Sequence, residues 1–166
     1  MPLSEKDRER IESFRGYVED TVAADDRYGP KQRLDREDGS TLATRFSAGP
    51  KCWFEVAIRP FIPQVRVGFL TEDRWKSEEC EEAIQDSGDT MQEFVGMGMQ
   101  DAGLDWSEPP VEHYREAGQY FYFATPLALD SLEDLEMDEV RDKTVRMLEG
   151  YFIAFGPAIA VEDGED

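Results

Sequence analysis

Between Thr41 and Leu70, three stretches of alternating apolar and polar residues follow one another with only short turns between them. This run constrains the fold more than any other part of the chain. Gly39, within Glu37-Asp38-Gly39-Ser40, marks a tight turn ahead of the first stretch, Thr41 to Phe46. Gly49-Pro50 breaks the chain. Cys52 to Ile58 then sets Phe54, Val56 and Ile58 on one face and Glu55 and Ala57 on the other. Pro60 and Pro63 bracket the next turn, after which Val65, Val67 and Phe69 face one way and Arg66 and Gly68 the other. A period of two is the signature of a half-buried strand, and strands joined this locally pair antiparallel. Lys31 to Leu34 offers a short further strand before the first.

The flanking segments carry helical spacing. In residues 4–24, Ile11, Phe14, Val18 and Val22 fall on one stripe behind Ser4 as N-cap, and Tyr28-Gly29-Pro30 closes the segment. Residues 74–101 read as a second helix with Ser77 as N-cap. Its apolar face is Cys80, Ile84, Met91, Phe94 and Val95, its middle is weakened by Ser87-Gly88, and it stops at Gly103. Val111 to Arg115 and Gln119 to Thr125 form a hairpin about Gly118, and the aromatic run Tyr120 to Phe123 reads as a central strand covered on both faces. Residues 131–160 read as a third helix or helix pair. Leu132 and Leu135 form a short turn, Asp138 caps the longer helix, and Val140, Thr144, Met147, Leu148, Tyr151 and Phe155 share a stripe up to Pro157, which should kink or end it. Residues 163–166 are an expected frayed tail. The expectation is one α+β domain over residues 1–166, an antiparallel sheet of about five strands with three helices in the order α-β-β-β-α-β-β-α.

Charge narrows the partners. The chain of 166 residues carries 38 acidic and 18 basic side chains, a formal net charge of −20. Residues 1–59 are nearly balanced, with 12 acids against 11 bases, so the excess lies in the remainder. Such a chain repels nucleic-acid phosphates and anionic lipid, which argues against nucleic-acid and membrane partners. The first residues, MPLSEKDRER, have no apolar core of a signal peptide, and no apolar run reaches the ~18–20 residues that span a bilayer. A cytoplasmic location is the expectation.

The opening helix Ile11-Glu12-Ser13-Phe14-Arg15-Gly16-Tyr17-Val18, the strand trio from Thr41 to Leu70, and the aromatic strand Tyr120 to Phe123 followed by Leu132 and then Val140 to Ile159 together resemble the layout of type III secretion chaperones and the related YbjN-like proteins. The resemblance covers most of the chain and rests on element order, not on a motif. The very acidic 72–93 segment and the loop from Trp106 to Pro110 depart from it. It implies a secretion-chaperone-like fold, a homodimer, and a non-enzymatic role of holding a partner polypeptide on an apolar surface.

Chemistry offers few handles. The one histidine, His113, lies in Val111-Glu112-His113-Tyr114-Arg115, expected as a solvent-facing strand. Two cysteines, Cys52 and Cys80, are too few for a disulfide framework and read as small buried hydrophobes. Their spacing with His113 matches no zinc pattern. Asp86-Ser87-Gly88-Asp89 is too short for a calcium loop, and Gly96-Met97-Gly98-Met99 ends a helix where a phosphate loop would open one. No cofactor or metal is expected. Met91, Met97 and Met99 near Phe94 and Trp106 suit either core gaps or an adaptable surface. The candidate partner-binding residues are Phe14, Val18, Trp53, Phe61, Met97 and Met99. The alternative is a small-ligand sensor or enzyme with a pocket lined by Trp106, His113, Tyr120 and Tyr122. A third idea is an adaptor that docks a basic partner on its acidic face.

Overall fold

The alternating run folds as its turns dictate. In the computed structural model, which describes residues 3–116 and 118–163, β2 (Leu42–Gly49), β3 (Cys52–Arg59) and β4 (Gln64–Thr71) pair antiparallel in succession. A fourth strand of the same meander, β1 (Lys31–Asp35), precedes them and pairs with β2. The hairpin β5 (Glu112–Glu116) and β6 (Tyr120–Ala128) completes the sheet, whose order is β1-β2-β3-β4-β6-β5. The fold is α+β as expected, with six strands and four helices in place of five and three. The aromatic strand β6 is interior to the sheet, between β4 and β5.

Helices α1 (Glu5–Ala23), α2 (Arg74–Ser87), α3 (Met91–Asp101) and α4 (Asp138–Asp163), with a 3₁₀ turn at Leu132–Glu136, complete the domain. Ser4 caps α1, its Oγ accepting from the Asp7 amide at 3.1 Å, and Ile11, Phe14, Val18 and Val22 are buried as their spacing requires. The expected single helix over 74–101 is two. Gly88 takes a left-handed φ of 79°, and Thr90 restarts the chain with a capping box to Glu93, so local capping wins over the continuous apolar stripe. The N-cap of α2 is Asp73, and Ser77 is buried one turn in. Pro157 neither ends nor interrupts α4, which runs on to Asp163. The lost N–H bond is offset because Tyr151, Phe155 and Ile159 form one buried stripe across the proline, with Phe155 stacked on Phe69 at 5.6 Å. Of the expected tail, Asp163 closes α4, and residues 164–166 lie outside the described residues.

The core fills the space between the helices and one face of the sheet. Phe46, Phe54, Val56, Ile58, Val65, Val67, Phe69 and Phe123 meet the apolar stripes of α1 and α4 there. Thr125 and Tyr151 share a hydrogen bond of 2.7 Å across the same interface. Strand β1 contributes nothing to this core, since all five of its residues are exposed. It is held instead by two charged residues one helical turn apart on α1. Arg15 forks onto Asp35 at 2.9 and 3.0 Å and reaches the Ala43 carbonyl at 2.9 Å. Glu19 accepts from Arg33 Nε at 2.8 Å and from Thr44 Oγ1 at 2.9 Å.

This clamp carries a pH signature. Burial opposes the charge of Glu19, but the hydrogen bonds from Arg33 and Thr44 and the charges of Arg33 and Lys31 outweigh it, holding the carboxyl down at about 2 against an ordinary 4.5. The resulting stability is fully present above the unfolded value and is lost as pH falls from about 4.5 through about 2. Glu19→Gln is expected to remove about 3 kcal/mol at neutral pH and little at pH 2, measured by urea unfolding at both. An equal loss at both pH values would assign the effect to packing.

Candidate functional site

Because side chains alternate along a strand, the sheet's second face is spelled out by the register. Trp53, Leu70, Tyr122 and Tyr114 lie side by side in one row across β3, β4, β6 and β5. Arg45, Glu55, Gly68 and Ala124 form the next row across β2, β3, β4 and β6. Ala43, Ala57, Arg66 and Pro126 form the third across the same four strands, with Leu34 of β1 beside Ala43. None of these side chains belongs to the core cluster that the helices cover. Four of them, Ala43, Ala57, Gly68 and Ala124, are among the smallest available, and Ala43 borders a hollow on this face.

The sheet curls around that hollow. Gly68 lies so close to β6 that a Cβ there would stand 2.8 Å from the Ala124 Cα. Arg36, just past edge strand β1, reaches Glu116 on the opposite edge strand β5 at 3.8 Å. The two edges thus come within the span of two side chains. The recess, open to solvent on one side, measures about 380 Å³ and is lined by Arg33, Asp35, Arg36, Thr41, Arg45, Glu55, Arg66 and Glu116 together with Leu34, Ala43 and Tyr122.

The polar groups in it are buried without help from any helix. Arg45 and Glu55 pair at 2.9 Å with side-chain exposures of only 8% and 6%. The Tyr122 hydroxyl accepts from Arg45 Nη2 at 2.9 Å and donates to Glu55 Oε2 at 3.3 Å. Arg45 also lies over the rings of Trp53 and Tyr120, at 5.8 and 4.6 Å, and those two rings meet edge to face. Burial is the largest influence on Glu55 and pushes its carboxyl up, against the charge and hydrogen bond of Arg45. Burial also raises both phenols, that of Tyr114 to about 12.

Arg66 is different. Its guanidinium lies beside the stacked pair of Tyr114 and Tyr122, at 5.4 and 5.9 Å from the ring centres, and its side chain is 9% exposed. Its nearest carboxylate is Glu112 at 3.7 Å, beyond hydrogen-bond length, and its buried Nε has no partner among the described residues. The Tyr114 hydroxyl and the Gln64 side-chain oxygen, on the same face, are likewise buried without one. Three of the four such atoms in the described residues therefore lie on this face of the sheet. The fourth, Arg15 Nε, belongs to a guanidinium that is otherwise well bonded.

The structure scatters the residues singled out from sequence. Phe14, Val18 and Met99 are core side chains, at 0, 2 and 0% exposure. Phe61 lies in the β3–β4 turn and Met97 on the outer side of α3, both exposed. Only Trp53 reaches the hollow face. The expected pocket of Trp106, His113, Tyr120 and Tyr122 divides for the same reason of alternation. Tyr120 and Tyr122 point to the hollow face, whereas His113 points to the helix side. There it stacks on Phe123 at 4.0 Å, with Nε2 2.7 Å from Glu81 and Nδ1 2.9 Å from the Tyr122 carbonyl, so it is not a free solvent-facing group. Trp106 packs against the core under Lys143, whose Nζ lies 4.3 Å from the ring centre. Cys52 and Cys80 are both buried, and burial pushes the Cys80 thiol up to about 12.

Arg45, Glu55 and Arg66 are the site residues that alternation alone passes over, since it marks them only as facing away from the apolar side. One signal was available: a hairpin turning at Gly49-Pro50 sets Arg45 opposite Glu55. Among the described residues no helix is long and apolar enough to cross a membrane, and no group of three or more His, Cys, Asp or Glu is placed to hold a metal. Comparison with known proteins returns no matching family model, no matching curated protein and no matching solved structure.

Proposed function

We propose that this chain is a non-enzymatic binding protein that takes a small ligand into the hollow of its curled sheet. The observation that carries the reading is the hollow itself: an open recess of about 380 Å³ into which a strongly acidic chain turns Arg36, Arg45 and Arg66. Leu34, Ala43 and the Tyr122 ring stand there among charged groups of both signs, and convergent polar groups in a recess are what orient a small ligand. Its described lining offers guanidiniums, carboxylates and a phenol, and the two thiols and the imidazole lie elsewhere. Recognition therefore fits it better than covalent chemistry. Thermal-shift screening of metabolites against the full chain tests this. Melting is expected to rise by several degrees with one compound class, and Ala43→Leu, at a position that lines the recess, should abolish the rise while leaving the unliganded chain folded. A flat response across the panel would sink the reading.

A second reading is the chaperone-like one, in which a partner polypeptide is held on an apolar surface by a homodimer. It is favoured by Leu34, Phe61 and Ile62, exposed apolar side chains at the end of the sheet where the β1–β2 and β3–β4 turns meet. Light scattering at twice the 19.0 kDa chain mass, with a permanently unfolded polypeptide retained on the column, would support it over the first.

A further inference from the structure

A guanidinium removed from water is costly unless its donors are met, and the cost is the reason buried arginines are nearly always bonded. Arg66 is the exception here. The stacked rings of Tyr114 and Tyr122 both lie to one side of its guanidinium, so a group that bonds its donors must approach from elsewhere. The Nε edge of the plane is left unbonded among the described residues, and the closest acid there, Glu112, stands off at 3.7 Å from Nη1 with about half of its own side chain in solvent. Arg45, by contrast, is already bonded to Glu55 and Tyr122. The hollow thus holds one satisfied arginine and one prepared but unfilled.

We infer that the hollow is a carboxylate receptor in which the open edge of Arg66 takes the acid group of an organic monoanion. This rests on the small-ligand reading above and names the chemistry it requires. The edge of a guanidinium presents two parallel N–H donors, which match the two oxygens of a planar carboxylate. Charge points the same way. The lining sets four arginines, Arg33, Arg36, Arg45 and Arg66, against three acids, Asp35, Glu55 and Glu116, so the site has room for one negative charge at Arg66 in place of the loosely held Glu112. A dianion such as phosphate would bring its second charge into a chain already at −20. Leu34, Ala43 and the Tyr122 ring give the ligand's body an apolar and aromatic wall. The unpartnered Tyr114 hydroxyl, whose ring lies against Arg66, is the second donor on this face.

The test is an NMR titration of the full chain, following the Arg66 Nε–Hε resonance, identified by its loss in Arg66→Lys. Benzoate, its neutral isostere benzamide and inorganic phosphate are the probes. Benzoate is expected to move that resonance saturably, with benzamide and phosphate at least tenfold weaker. Arg66→Lys keeps the charge but loses the planar edge and should weaken benzoate about tenfold or more. Tyr114→Phe keeps the ring stacked and serves as the second variant, expected to weaken binding severalfold, should the lysine variant fold poorly. Equal binding of benzamide, or tighter binding of phosphate, overturns the carboxylate assignment while leaving a ligand-binding hollow. A hollow whose resonances respond to none of the three probes, in a chain that does respond to the metabolite panel, overturns it too. Silence to both overturns the small-ligand reading beneath it.

Discussion

Gly68→Ala is expected to destabilise the chain by about 3 kcal/mol or more and to open the hollow, an unusually large effect for one methyl group. The added Cβ falls onto the carbonyl oxygen of Phe123 and lies 2.8 Å from both the Cα and the Cβ of Ala124. Each of these atoms belongs to the backbone or is rigidly attached to it, so no side-chain rotation relieves the clash. Strands β4 and β6 must part where Gly68 pairs with Ala124, at the centre of the sheet, and ladder hydrogen bonds on either side are strained with them. Gly16→Ala is the matched control. A Cβ there meets nothing within 4 Å, and alanine in mid-helix should instead gain up to about 1 kcal/mol. Urea midpoints of the two variants at constant m check this. A wild-type midpoint for Gly68→Ala would mean that the strands do not approach so closely and that the curl has another origin.

What the sequence disclosed of this fold follows from what its patterns encode. Alternation reports which residues of a strand share a face, and so β2, β3 and β4 and the stripe of α1 were legible. It reports nothing where burial is absent, which is why β1 read only as a possible strand: Lys31 to Asp35 is exposed throughout and is held by Arg15 and Glu19. Nothing in the spacing of the helix itself marks those two residues as structural. Only the presence of Arg33, Asp35 and Thr44 on the facing strands makes them structural. Local capping at Gly88 and Thr90 was visible as weakness but not as a break, because the apolar stripe continues through it.

The site was less legible than the fold, for a related reason. Alternation separates two faces without saying that the polar one is concave. Curvature comes from Gly68, Ala43, Ala57 and Ala124 acting together across four strands, a pattern that exists only once the register is known. Residues chosen for being apolar, such as Phe14, Val18 and Met99, went into the core for the same property that singled them out. Trp53 reached the site because it is the one member of that set on an odd-facing strand position.

The Arg45–Glu55 pair gives the clearest separation of stability from function. Glu55→Leu alone is expected to cost about 3–5 kcal/mol, because it leaves a buried guanidinium beside the Tyr122 hydroxyl and the Trp53 and Tyr120 rings with its carboxylate gone. Arg45→Met alone should cost a similar amount, stranding the carboxylate. The double variant, however, should lie within about 1 kcal/mol of wild type, since neither charge then has to be desolvated. The direction of the Glu55 shift supports this. Burial raises its carboxyl, so holding it ionised is a drain on the folded state that grows as pH rises above the unfolded value, opposite in sign to the contribution of Glu19. If the double variant behaves so, the proposed small-ligand reading gives the pair its role: it fixes Tyr122 and balances charge beside Arg66. The double variant is therefore expected to melt like the wild type in urea while losing the ligand-dependent rise in thermal stability. A double variant as unstable as the singles would show that the pair is there to hold the sheet together, and the hollow would lose its strongest claim to being a site kept for binding.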